Sequence, residues 1–458
     1  MILQSSFHQK LWNPEYFSIL WSGIDSFEWE KEYYSTSSIQ WTNIIAPEEI
    51  ITYENRPSRA NMQPIIWAVW FAKMAKTLKV IKIDEEFAEK SIFSTWFALI
   101  YGNPDSIDSG YLKYFFLSSD FNSQKDRLST GTTQVAINQK GIEKIEIPLF
   151  DIETQQLIVS EIEKQFSRLD EWLSSLLRIR QNLKSYRASL LKSAIEWRLT
   201  EEWRKENPDI ESAEKLLDRI RIARREKWLS ENPGKKYKEI ENNEELNIID
   251  LPILWIKTTV GFISDSISTW PFGTMLHKSD YINNWIPLIN PANIVDWKIV
   301  PNYRNSIDNK TAKRLDTYIL KEWDIVIWRR WEMGRCAMIT NIENWWLCGT
   351  GSFFMRLNKF IDRRFFMVFF TSNPSLQYLN RNSIGTTMNN LNNKIMTIMP
   401  INLPPLAEQH RIVEILEEKF SVIDALESLV NANIRRAENL KQAILKKAFS
   451  GELVWENH

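Results

Sequence analysis

Four groups of side chains have the types and spacing to meet a polyanion. Lys73, Lys76, Lys79 and Lys82 recur every three residues. Ammonium groups so placed neutralise phosphates and position a protein on a duplex without reading its sequence. Arg56, Ser58, Arg59 and Asn61 crowd one short segment, Arg56-Pro57-Ser58-Arg59-Ala60-Asn61. Arginine pairs in bidentate fashion with guanine edges and asparagine with adenine edges. Arg329, Arg330 and Arg335 follow a strand-like run and could enter a groove in the same way. Two loops, Gly131-Thr132-Thr133-Gln134 and Gly385-Thr386-Thr387-Met388-Asn389, offer hydroxyls and amides to phosphate or base. Both keep Gly-Thr-Thr while their surroundings diverge, so a shared backbone role fits them better than base reading. Each group also has a plainer reading: a solvated lysine face, or a loop held by arginine hydrogen bonds.

Catalytic constellations do not stand out. There is no Gly-rich phosphate loop and no Asn-Pro-Pro-Tyr-type methyltransferase tetrapeptide. His8, His277, His410 and His458 fall in no metal or triad spacing. Cys336 and Cys348 have no second Cys or His pair nearby, so buried thiols are expected rather than zinc ligands. No metal and no cofactor are expected on this chain.

The elements that must position these groups occur twice. Residues 129–199 align without a gap on 383–453, with about 20 identities over 71 positions. Ser129-Thr130-Gly131-Thr132-Thr133 returns as Ser383-Ile384-Gly385-Thr386-Thr387, Phe166-Ser167 as Phe420-Ser421, and Asp170 as Asp424. A repeat this long is two domain-plus-helix modules, which suits an internal pseudo-twofold axis.

Each module ends in an amphipathic helix. Ile158, Ile162, Phe166, Leu169 and Leu176 step by three, four or seven, and Ile412, Leu416, Phe420, Ile423 and Val430 do the same. Such seams favour a coiled coil. Paired antiparallel, helices of this length would form a rod longer than a DNA turn of about 34 Å. A recognition domain at each end could then read two unlike half-sites.

The fold class expected is therefore α+β. Two mixed α/β domains, 1–146 and 251–400, are followed by long spacer helices at 147–200 and 401–458. A charged helix and connector occupy 201–250, where Leu216, Ile220 and Ala223 share a helix face. Alternation predicts strands at Thr77–Ile83, Gly141–Ile147, Tyr318–Ile327 and Cys336–Thr340.

Composition narrows the classes. The 44% hydrophobic and 25% charged fractions are those of ordinary globular proteins. No apolar run reaches the roughly 18 residues of a membrane span. Met1 to Lys10 lacks a basic segment followed by an apolar one, and two cysteines are too few for a disulfide framework. A cytoplasmic location is expected. A net charge of −1 excludes a uniformly basic coat but leaves room for local basic patches.

Glycine and tryptophan are out of balance. The chain has 13 glycines and 21 tryptophans, and their sum is near the usual glycine share of roughly 7%. Trp197 stands where the second repeat has Gly451, just past a helix end. Trp297 follows Asp296 where an Asp-Gly turn would be natural, and Trp323 precedes a strand-like run. Trp328 and Trp331 flank Arg329-Arg330. These positions suggest UGA codons read as glycine in the source cell and written as tryptophan in the sequence. A genuinely tryptophan-rich protein is the alternative.

Several segments resemble specificity subunits of type I restriction–modification enzymes. They are Ile147 to Gln155, Ile401 to Val413, Tyr186 to Ala194, Asn439 to Leu453, and Trp270-Pro271-Phe272-Gly273. Arg56 to Asn61 looks like a motif of one group of first recognition domains. The resemblance covers essentially the whole chain. It departs mainly at tryptophans where the family has glycine, such as Trp270, Trp285, Trp297 and Trp323. The resemblance implies a subunit that recognises a split, asymmetric sequence in double-stranded DNA and does no chemistry itself. It implies binding to two adenine-methylating modification subunits and, through them, to restriction/translocase subunits. S-adenosylmethionine, ATP and Mg would then belong to those partners. Two other functions compete: a coiled-coil protein scaffold without DNA readout, and a fragment of a fused restriction–methylation enzyme.

Overall fold

The two seams of apolar residues become two helices of 44 residues each, Ile152–Ile195 and Leu406–Phe449, in the computed structural model of the chain. The structure describes residues 7–20, 23–239, 251–269, 276–295, 297–328, 334–349, 351–383 and 391–455. Ile158, Ile162, Leu416 and Ile423 are at most 2% exposed, and Phe166, Leu169, Leu176, Ile412 and Val430 are buried with them. Phe420 is partly buried against the core of the second unit, with Ile412, Leu416 and Ile423. Burying each such side chain stabilises by about 1.5–3 kcal/mol, which is what holds helices of this length in place.

The helices begin later than expected. Glu146–Leu149 is a strand paired antiparallel with Phe7–Lys10, and Pro400–Leu403 is a strand paired antiparallel with Ile256–Thr259. Asp151 then accepts from the Thr154 amide at 2.8 Å at the first helix start. Pro404 and Pro405 precede the second, where their fixed φ and missing amide do no harm.

Contacts divide the chain into two units: Met1–Arg180 with Ser428–His458, and Gln181–Glu427. Each unit therefore contains the start of one long helix and the end of the other. In the first, a four-stranded antiparallel sheet has Phe97–Gly102 between Phe17–Leu20 and Val69–Ala72, with Val80–Lys82 beyond. A second sheet joins Glu49–Ile51, Lys31–Tyr34, Ser91–Ser94 and Ala60–Met62. Phe71, Phe115, Phe116 and Phe121 pack with Leu445, Ala448 and Phe449 from the end of the second long helix.

The second unit repeats the first sheet. Ser352–Leu357 lies between Ser264–Thr269 and Ile325–Trp328, with Cys336–Met338 beyond. The helices also recur at the sequence offset. Their caps are the same residue types: Asp108 and Asp362, Ser118 and Ser372, Asn138 and Asn392. Each offers a side-chain oxygen to an amide in the first turn, the interaction that fixes a helix start. The repeat is thus longer than identities alone reveal.

Three strand expectations are corrected by local chemistry. Gly141 and Ile142 belong to a helical turn, because Asn138 caps the Gly141 amide at 3.0 Å. Only Val80–Lys82 of the first run is strand, since Lys76 turns the chain with a φ of 58°. Of Tyr318–Ile327 only the end is strand, in Ile325–Trp328, and Asp316–Tyr318 is a 3-10 turn. The charged connector is more ordered than its composition suggests. Ala213–Glu231 is a helix whose Leu216 and Ile220 are fully buried, although Ala223 is only half-buried. Its buried Arg224 donates to the carbonyls of Gly261, Phe262 and Ser264, which ties the helix to the second mixed domain. Residues 240–250 lie outside the described residues.

Among the described residues, eight non-glycine residues have left-handed φ, and six are tryptophan: Trp41, Trp67, Trp197, Trp297, Trp323 and Trp345. For an L side chain that conformation costs roughly 1–2 kcal/mol. Trp328 is ordinary extended strand, and Trp331 and the Trp270–Gly273 segment lie outside the described residues.

Candidate nucleic-acid interface

In the first unit, the turn between Val69–Ala72 and Val80–Lys82 is laid against the Gly-Thr-Thr loop. Met74 forms an antiparallel bridge with Ala136, which also bridges Thr130. The Ala75 amide donates to the Val135 carbonyl at 3.0 Å, and the Ile137 amide to the Lys73 carbonyl at 3.0 Å. Gly131 has a φ of 124°, and a Cβ there would stand 2.5 Å from the Gln134 carbonyl, so the loop needs glycine. Thr132, Thr133 and Gln134 are exposed at its tip. Two candidate groups distant in sequence therefore form one patch with Lys73 and Lys76.

Within that patch the lysines differ. Lys76 is exposed, while Lys73 is half-buried and desolvation lowers its pKa from the ordinary lysine value. Lys79 donates to the Thr36 carbonyl, and Lys82 lies over the Trp67 ring, 4.9 Å from its centre. The period-three run is thus not one face: only Lys73 and Lys76 join the loop.

Arg59 adjoins the patch through Trp96. Its guanidinium is 5.6 Å from the Trp96 ring centre, and the Trp96 carbonyl accepts from the Lys73 amide at 2.9 Å. Arg59 and Ser58 are exposed and Asn61 is half-buried. Arg56 is committed to its own loop. It stacks 3.9 Å from the Tyr53 ring centre and donates to the Tyr53 carbonyl.

Two residues that sequence reasoning passed over hold this patch. Lys125 is 1% exposed and donates its ammonium to the carbonyls of Ala72 and Thr77, at either end of the turn. Burial pushes it down to about 8. Asp126 accepts from the Lys76 amide at 2.8 Å. The available signal was in the repeat, where the positions of Lys125 and Asp126 are taken by Leu379 and Asn380.

In the second unit, Arg335 is half-buried, with its guanidinium 4.6 Å from the Trp328 ring centre. Arg329, Arg330, Thr386, Thr387 and Asn389 lie outside the described residues. Cys336 and Cys348 are both buried, and burial pushes Cys336 up to about 12. Among the described residues no group of His, Cys, Asp and Glu is arranged to hold a metal ion. None of their helices is long and apolar enough to cross a membrane.

Repeat-related side chains fasten each mixed domain to its long helix. Gln155 accepts from the Asp108 amide at 3.0 Å and donates to the Phe150 and Ser106 carbonyls. Gln409 accepts from the Asp362 amide at 3.0 Å and donates to the Pro404 carbonyl. The long helices carry a matching pair of ion contacts. Lys441 meets Asp170 in the first unit, and Arg187 meets Asp424 in the second. Arg187 and Lys441, like Asp170 and Asp424, are repeat equivalents. Glu408, fully buried, breaks the symmetry. It accepts from Thr200 at 2.7 Å, the Trp255 indole at 2.8 Å and Arg204. Its equivalent is Thr154.

Residues 275–436 match the model of the type I restriction modification DNA specificity domain. The type I restriction enzyme EcoBI specificity subunit of Escherichia coli is 24% identical over 325 residues, 71% of this chain and 62% of that protein. The EcoDI specificity subunit of the same species is 27% identical over 328 residues, 70% of this chain and 66% of that protein. The aligned region thus spans a little under two thirds of these curated relatives. A solved chain, described under the structural basis of complex assembly and conformational transition of a type I R-M system, shares the fold with a TM-score of 0.65. It is 20% identical and covers 96% of this chain and 99% of that one.

Proposed function

We propose that this chain, a type I restriction–modification specificity subunit by family, supplies the DNA sequence specificity of such a complex and performs no catalysis itself. The observation that carries this is the specificity-domain match, which falls on the second of two modules with the same sheet order and helix caps. Each mixed domain would read one half of an asymmetric, bipartite site on double-stranded DNA. In the first domain the reading surface is the patch of Arg59, Lys73, Lys76, Thr132, Thr133 and Gln134. Cations and hydroxyls together suit phosphate and base-edge contacts.

The two long helices would pair antiparallel as a spacer between the recognition domains. The reciprocal contacts Asp170–Lys441 and Asp424–Arg187 support this, since residue and partner exchange roles between repeats as a pseudo-twofold requires. On this reading two modification subunits dock on the chain, and restriction/translocase subunits join through them. S-adenosylmethionine, ATP and Mg reside on those partners, in the cytoplasm.

Base-resolution methylation mapping tests the proposal, in a strain co-expressing this chain and its neighbouring methyltransferase. A methylated-adenine motif in two unequal halves with a fixed gap is expected. Co-purification of the two proteins without any new motif would leave a scaffold that does not read DNA.

A further inference from the structure

We propose that residues 41, 67, 197, 297, 323 and 345 are glycine in the protein made in its own cell, each tryptophan there being a UGA codon that the cell reads as glycine. By composition, 21 tryptophans in 458 residues would supply fewer than one of the eight left-handed non-glycine positions, not six. A bulky side chain at positive φ is a conformational outlier, while glycine adopts it freely.

The repeat gives two internal controls. Trp197 has a φ of 55°, and Gly451, its equivalent, has a φ of 83°. Trp197 stands just past the first long helix, where the Arg198 amide donates back to the Ser193 carbonyl at 3.0 Å. That bond closes the helix-ending motif whose left-handed residue is usually glycine. Trp67 and Trp323 form the second control, with φ of 69° and 72°. Each donates its amide to an equivalent carbonyl, Ile83 in one unit and Ile339 in the other.

The local turns agree. Trp41 and Trp297 sit in two-residue loops, between Ile39–Gln40 and Asn43–Ile44, and between Ile294–Val295 and Lys298–Ile299. Such tight hairpins demand positive φ. Trp345 follows Asn344, completing an Asn-Gly-like pair. Three of the side chains face solvent: Trp67, Trp323 and Trp345 are 54%, 51% and 70% exposed. With glycine at these sites the exposed indoles are not stacking platforms for bases. By contrast Trp70 is fully buried in a strand, and Trp255 is buried and donates to Glu408; these two are real tryptophans.

The test has two parts. Peptide mass spectrometry of the protein from its native cells should find glycine at all six positions and tryptophan at 70 and 255; tryptophan at the six would overturn the proposal. In a standard host, the full chain carrying Trp67→Gly, Trp323→Gly and Trp345→Gly together should melt at or above the temperature of the tryptophan chain. Trp70→Gly should lose the folded state. A triple variant less stable than its parent would also count against the proposal.

A separate observation assigns Lys125 as a positioning residue for the DNA-facing patch, which rests on the reading under Proposed function. Its ammonium grips both ends of the turn that carries Lys73 and Lys76, from inside the fold. The turn in turn braces the Gly-Thr-Thr loop through Met74 and Ala136. Lys125→Leu, which installs the residue found at the repeat equivalent Leu379, should keep the fold while freeing the turn. Faster amide exchange confined to residues 73–77 and 130–137 is expected, with relaxed methylation at one half-site and the other half unchanged. Unaltered exchange and an unaltered motif would overturn the assignment. A wild-type complex that methylates no bipartite motif would instead refute the DNA reading.

Discussion

Removing the Glu408 carboxylate should unfasten one joint of the second unit. Glu408 has no exposure and satisfies three donors, the Thr200 hydroxyl, the Arg204 guanidinium and the Trp255 indole. The Arg204 side chain is only 13% exposed, so solvent replaces little of the lost partner. Leaving one member of a buried ion pair alone costs about 3–5 kcal/mol, far more than the net worth of the pair. Glu408→Ala should therefore raise local opening of Thr200–Glu206 by roughly a hundredfold or more, taking 1.4 kcal/mol per decade. Glu408→Ala with Arg204→Met should recover part of that loss, because the orphaned charge is gone. Hydrogen exchange on the full chain suits the measurement, since two units need not unfold as one. An effect of Glu408→Ala below about 1 kcal/mol would refute the buried-charge reasoning.

Other outcomes can be set beside it. On the proposed DNA reading, Arg59→Ala, and Arg330→Ala by the sequence expectation alone, should alter the methylated motif, whereas Lys76→Ala should weaken DNA binding across sequences and reduce its salt slope by about one; a titration of affinity against salt separates them. Lys125 is pushed down to about 8, below the ordinary lysine value of about 10.4, so the unfolded chain holds more protons between those limits. Its contribution to stability should therefore rise with pH from about 8 to about 10.4, and wild type should gain on Lys125→Leu across that window in denaturant titrations. Cys336 and Cys348 are fully buried, and Cys336 is pushed up to about 12. Neither should react with iodoacetamide at neutral pH until denaturant is added.

Spacing alone determined the repeat, the two long helices and their buried seams, because a 3.6-residue period states which face must leave water. It also marked Trp197 and Trp297 as glycine-like, since helix ends and tight hairpins impose φ whatever the side chain. Short strands were less legible. Gly141–Ile142 alternates like a strand yet is held helical by one Asn138 side chain, a contact that outweighs pattern over so few residues. The lysine run read as a single face, but its members part company because Lys79 finds the Thr36 carbonyl while only Lys73 and Lys76 sit on the turn that meets the Gly-Thr-Thr loop. Only the tertiary structure could join Lys73 and Lys76 to Thr132, Thr133 and Gln134, through backbone bridges spanning some sixty residues of chain. Only it could reveal Lys125 and Glu408 as buried charges, because burial depends on what the rest of the chain packs around a group, and a sequence window does not contain that.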